Sequence, residues 1–238
     1  MAYSREQALE LHKDFEENVK NWEYYIRSYN GGYDYMIGQY LNRYNLELDN
    51  EFNQRLANTP CDNHCKNIIQ IYSSFLFRVK ASRDFGTMQD EASLESFLKD
   101  ADLEGNSFTS VIKQAQNYAS IYGHCMMILD KPAIQTNTRA EELDQEIRPY
   151  VSIVTPENIF DWNFERQPNG KYILNYLKIR EEVDKSGGSY MRMWYPDRVD
   201  TIYVEEHGTE PTLIDTATNQ IGKIPAVILY NSKSHKRG

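Results

Sequence analysis

At Gly123 the hydrophobic period of this chain changes. Before it, apolar residues recur at spacings of three and four, which puts them on single faces of helices. After it come short apolar or alternating runs divided by turn residues, which read as strands. A single type of layer cannot absorb both periods. The expected class is α+β: a helical half, 1–122, then a mostly antiparallel β half, 123–238.

In the first half, Leu11, Phe15, Val19, Trp22, Ile26 and Tyr29 form one stripe of a long helix, broken at Asn30-Gly31-Gly32. Tyr33, Ile37, Tyr40, Leu41 and Tyr44 continue at helical spacing. Leu48-Asp49-Asn50-Glu51 is a polar link with candidate helix caps, and a short segment then runs to Asn58. Thr59-Pro60 predicts a helix start with Pro60 at the first helical position. The helix behind it is expected to bury Ile68, Ile69, Tyr72, Phe75 and Leu76, with Val79 extending the stripe. Leu94, Phe97, Leu98 and Ala101 mark a shorter helix that ends near Glu104-Gly105-Asn106. Ser107 is placed to cap the next, whose stripe is Phe108, Val111, Ile112, Ala115, Tyr118, Ala119 and Tyr122. Gly123 then stands where a glycine closes a helix.

In the second half, Cys125 to Leu129 is a short apolar run bounded by Gly123 and by Asp130-Lys131-Pro132, which suits a buried strand. Residues 135–148 are polar and acidic and read as a solvated loop. Further strands are expected at Tyr150–Val154, Ile159–Phe164, Tyr172–Val183, Tyr190–Tyr195 and Thr201–Glu205, and a last apolar run spans Ile224–Tyr230. Turn residues at such short intervals predict a meander of hairpins. The final strand running into a basic tail suggests a truncation or a domain boundary.

Composition narrows the functional classes. The formal charge of -9 lacks the positive footprint that grips phosphates, so free-standing, tight DNA binding is disfavoured. The polar N-terminus has no signal-peptide pattern, and no apolar run approaches the ~18 residues that span a bilayer. Three cysteines, Cys61, Cys65 and Cys125, are too few for a disulfide framework, and production in the cytoplasm is expected.

Motifs for chemistry are sparse. Cys61, His64 and Cys65 have ligand-type side chains at helical spacing and are weak candidates for zinc, but no fourth ligand lies at a recognisable spacing. The preferred reading is a helix N-terminus with two small, partly buried cysteines. His124 and Cys125 are adjacent on a strand and point to opposite faces, so they form no catalytic dyad. Glu141, Glu142, Asp144 and Glu146 read as a solvated charge run. Phosphate-loop, dinucleotide and nucleophile-elbow motifs are absent. No catalytic residue and no cofactor is expected.

Tyrosine is the compositional oddity, with 18 in the chain and eight of them before residue 45. Its large apolar ring and wettable hydroxyl suit protein interfaces, and a small helical core uses it as well. Tyr33, Tyr40 and Tyr44 are the expected subunit-interface residues. The tail residues Lys233, His235, Lys236 and Arg237 read as solvated.

Four segments, in this order, resemble phage portal proteins. The first is Asn63-His64-Cys65-Lys66-Asn67-Ile68-Ile69 running to Ser74-Phe75-Leu76-Phe77. The second is Ala115 to Asp130, a helix that ends in Tyr122-Gly123 and feeds a strand. The third is Val154-Thr155-Pro156-Glu157-Asn158-Ile159-Phe160-Asp161-Trp162. The fourth is Gly222-Lys223-Ile224-Pro225-Ala226-Val227 to Tyr230-Asn231. The resemblance implies the wing of a portal subunit, ending just before a stem helix would begin. It also implies a homo-oligomeric ring, usually dodecameric, at the capsid vertex of a virion assembled in the host cytoplasm. Through that ring double-stranded DNA passes without sequence-specific binding. Major capsid protein, terminase and head–tail adaptors are the implied partners, with no membrane. No family DNA-contact residue carries over onto this chain. The rival readings are a head-completion adaptor or minor capsid protein, a zinc-binding protein or enzyme using Cys61, His64 and Cys65, and a nucleic-acid-binding module.

Overall fold

The computed structural model describes residues 3–38, 40–60, 63–89, 91–132, 138, 141, 147–208 and 210–232. Helices come first: α1 (Arg5–Leu9), α2 (Lys13–Asn30), α3 (Gly32–Ile37), α4 (Asp49–Asn58), α5 (His64–Leu76), α6 (Ala92–Lys99) and α7 (Phe108–Tyr122). Strands follow: β1 (His124–Asp130), β2 (Tyr150–Val154), β3 (Ile159–Arg166), β4 (Tyr172–Val183), β5 (Ser189–Trp194), β6 (Arg198–Val204), β7 (Thr212–Thr218) and β8 (Ala226–Tyr230). The α+β expectation holds, with helices before antiparallel sheets.

The strands divide into two sheets. β3 to β7 form a five-stranded meander in chain order, with every neighbouring pair antiparallel. The second sheet has the order β2-β1-β8, so the last strand returns across the whole meander to pair with the first, Met126 opposite Ile228. Alternation along each strand decides what packs where. Leu177, Ile179 and Trp194 face the three-stranded sheet and share a core with its Met126, Ile128 and Val154. Met191, Met193, Ile202 and Val204 face the opposite way and are covered by Ala8 of α1.

One charged side chain holds α1 in place. Lys178 is fully buried, and its Nζ donates to the carbonyls of Gln7 (3.0 Å) and Glu10 at the C-terminal end of α1. Those carbonyls have no partner inside the helix, and a cation there also opposes the helix dipole. Burial still pushes the Lys178 ammonium below its ordinary pKa, with Asp161 at 4.0 Å working against the shift.

The α7–β1 junction is built as its sequence predicts. Ser107 accepts from the Ser110 amide, and Gly123 closes the helix at φ 89°, a left-handed conformation that glycine adopts without Cβ strain. Ala115 and Ala119 then lie against Cys125. The α2 stripe is also as expected: Phe15 and Trp22 are buried against Ile121 and Tyr122, with Leu11, Val19, Ile26 and Tyr29 beside them.

Four expectations are corrected. The long helix starts only at Lys13, so Leu11 precedes it; His12 is the cap, and its Nδ1 accepts from the Asp14 amide. The helical spacing after Tyr33 stops at Ile37, so Tyr40, Leu41 and Tyr44 lie outside a helix. Thr59-Pro60 ends α4 instead of starting α5. Thr59 is the C-terminal cap, its amide on the Arg55 carbonyl, and a proline just beyond a helix is as natural as one at its start. α5 begins at His64, capped by Asn63. Finally, α5 does not bury its apolar stripe.

Candidate subunit interface

The tyrosine-rich corner is made where α2 turns into α3. Gly31 has φ 67°, and a Cβ on it would come within 2.7 Å of the Asn63 side chain. Glycine therefore lets the cap of α5 sit against this corner. There the Asn63 amide donates to the Tyr29 carbonyl while its oxygen accepts from the Lys66 amide.

Of the three predicted interface tyrosines, two face water. Tyr33 is 82% exposed and Tyr44 68%. Tyr40 instead folds back, its ring 4.7 Å from Tyr24 and 5.1 Å from Tyr35. Tyr44 is outside a helix but fixed: the Arg55 guanidinium lies 4.4 Å from its ring centre. Arg55 also grips both carboxylate oxygens of Glu47 at 2.7 Å and donates to the Asn42 carbonyl. The two hydrogen bonds from Arg55 pull the Glu47 carboxyl down to about 2. Arg43 adds an ion pair with Asp49 at 2.7 Å. This charged clasp ties Tyr44 and Glu47 to α4 while leaving the Tyr44 ring exposed.

α5 is the larger surprise. Its single buried residue is Ser73, whose hydroxyl finds no hydrogen-bond partner among the described residues, while Ile69 is half-buried. Ile68, Ile71 and Phe75 lie on the arc opposite Ser73, Tyr72 and Leu76 lie to its side, and all five are exposed. The helix thus turns Ser73 inward and leaves most of its apolar side chains outward. The sequence shows the stripe, but a stripe looks the same whether it meets a core or a partner. The signal that separates the two is Ser73, which lies on the face turned to the body.

The residue types that suggest chemistry are not brought together. His64 and Cys65 are exposed on α5, and Cys61 lies outside the described residues. Among the described residues, no group of three or more His, Cys, Asp or Glu side chains is placed to hold a metal ion. His124 and Cys125 do point apart. The Cys125 thiol is fully buried and donates to the Ala115 carbonyl at 3.2 Å, and burial pushes it up to about 11. Burial also lowers the His124 pKa, with Trp22 and Tyr230 as ring neighbours. Of the acidic run only Glu141 is described, and Lys233, His235, Lys236 and Arg237 lie outside the described residues. No described helix is long and apolar enough to cross a membrane.

The exposed tyrosines and the exposed side of α5 form the candidate contact surface. Residues 12–237 match the family described as "Phage portal protein, SPP1 Gp6-like". The chain belongs to the phage portal family. A search of curated proteins finds no match. Membership gives this portal chain a structural role in the phage particle, and the family implies an oligomeric ring at a capsid vertex.

Proposed function

We propose that the chain is the wing of a portal subunit, with 1–122 its helical part and 123–238 its β-rich part. In this reading the ring, usually dodecameric in the family, is part of the channel through which DNA is packaged and ejected. Capsid protein, terminase and head–tail adaptors dock on the full ring. The observation that carries the reading is the family match across nearly the whole chain. The charge of -9 fits it physically, because an acidic ring lets DNA slide past without gripping its phosphates.

The tyrosine corner is proposed as part of the contact between subunits. Exposed tyrosine rings supply large contact area with a wettable hydroxyl, and Arg55 already holds that of Tyr44. Tyr33 and Tyr44 are the residues to change, since Tyr40 packs inside its own chain. The deciding experiment labels purified particles with an antibody raised against this chain. Label at one vertex per particle is expected, and label spread over the shell would replace the portal reading with that of a minor capsid protein.

A further inference from the structure

The stripe on α5 is too large to be incidental. Tyr72 is 72% exposed and Phe75 69%, and Ile68, Ile71, Leu76 and Val79 are more than half exposed. Together they leave on the order of 700 Å² of mostly apolar surface in water, above the usual largest patch of a monomer and near one side of a standard interface. The inner side of the helix is fixed to its own body, with Asn63 donating to the Tyr29 carbonyl and Ile69 packed against the core of Phe15 and Trp22.

Charge says what covers it. From Asn63 to Lys80 the chain carries Lys66, Arg78 and Lys80 and not one carboxylate, inside a molecule of net charge -9. The opposite combination occurs at the free edge of the five-stranded sheet. From Val199 to Gly222 there is no lysine or arginine, while Glu205, Glu206, Glu210 and Asp215 are exposed. Arg5 approaches this region only through the backbone carbonyls of Glu205 and Glu206. In β7 all but half-buried Ala217 are exposed, Leu213 and Ile214 among them, and its outer edge pairs with no described strand. A ring is closed by two different surfaces on each subunit, and this chain carries two that match in both polarity and charge sign.

We propose that the α5 stripe of one copy of this chain seats on β7 of the next, head to tail. The proposal rests on the portal reading for the ring and adds which surfaces meet. Ile71 and Phe75 are the anchors on one side, Ile214 on the other. Lys66, Arg78 and Lys80 sit opposite Glu205, Glu206 and Asp215.

The test uses the full chain, with its mass in solution followed by sedimentation across concentration. Two paired variants are made, Ile71→Ser with Phe75→Ser and Ile214→Ser with Asp215→Lys. All four positions are exposed, so far-UV circular dichroism should be unchanged. The unaltered chain should self-associate, more weakly as salt rises. Each paired variant should lose about tenfold or more in affinity, the loss expected when interface anchors are truncated. The decisive arm mixes the two variants. Each retains the surface that the other lacks, so the mixture should recover one-to-one pairs that neither forms alone.

A chain that stays monomeric overturns the proposal, as does a β7 variant that associates like the unaltered chain, the result expected if α5 packs on α5. Failure of the mixture to pair overturns it as well. If any of these occurs while antibody still marks one vertex of the particle, the portal reading stands and α5 has a different cover.

Discussion

Arg192, on the central strand of the five-stranded sheet, donates from Nη1 to the Asp130 carboxylate at the end of β1, 2.5 Å away. One charged contact therefore ties the two sheets together beside their shared apolar core. Tyr150 donates to the same carboxylate oxygen at 3.1 Å, and Glu181 lies 3.1 Å from Arg192 Nε without hydrogen-bond alignment. Burial raises the Glu181 pKa, and the guanidinium opposes that shift.

Removing Asp130 should therefore cost stability. Asp130→Ala leaves Arg192 with only Glu181 as a nearby carboxylate, beside the Tyr150 hydroxyl, and takes the carboxylate acceptor from Tyr150. A fully buried pair broken this way costs ~3–5 kcal/mol, and partial solvent access reduces the expected loss to about 1–3 kcal/mol. Asp197→Ala removes an exposed carboxylate from Arg198 and should change little. Urea unfolding of both variants checks this, and equal midpoints would show that the Arg192 contact contributes nothing.

Lys178 should govern the N-terminus selectively. Lys178→Met keeps most of the side-chain volume and removes both donors to α1, leaving Asp161 without its partner. Loss of two such bonds is worth roughly 1–3 kcal/mol. The loosening should concentrate in residues 5–10. Hydrogen exchange there should quicken far more than in α7, and uniform quickening would mean that Lys178 holds the sheet and not the helix.

The sequence revealed most where local chemistry and tertiary packing agree. Ser107, Gly123 and the stripe from Phe108 to Tyr122 specify one helix and one exit, and the structure contains both. It was silent where a partner lies far along the chain. Nothing local to Ala226–Tyr230 says that it pairs with β1, a hundred residues upstream. β7 escaped notice because Thr212–Thr218 has no buried face and so no alternation to read. The α5 stripe was legible, but its direction depends on what α2 and α7 leave open. Tyr33 and Tyr44 were found by composition, while the ring–ring contacts that withdraw Tyr40 are tertiary.

The cysteines should differ sharply in reactivity. Thiolate is the reacting form, so a buried thiol raised to about 11 is protected twice over. Cys65 is exposed. Iodoacetamide at about pH 8, followed by peptide mapping, should find Cys65 alkylated early and Cys125 only after urea is added. Early alkylation of Cys125 would show that α7 opens away from β1 in the native state.

The Glu47–Arg55 clasp gives a pH dependence whose sign is fixed. The folded carboxyl titrates at about 2 against 4.5 unfolded, so between these values the unfolded chain binds more protons and acid favours it. The contribution is complete above pH 4.5 and disappears as pH falls toward 2. Asp184 is also held down to about 2, by Ser186 first and then Tyr203, so the comparison must isolate one group. Glu47→Gln does so, because Asp184 titrates identically in both proteins. The unaltered chain should melt higher than Glu47→Gln near neutral pH, and the gap should close steadily under acid. A gap that stayed constant to the lowest pH at which both still fold would mean that the Glu47 charge does not hold the clasp.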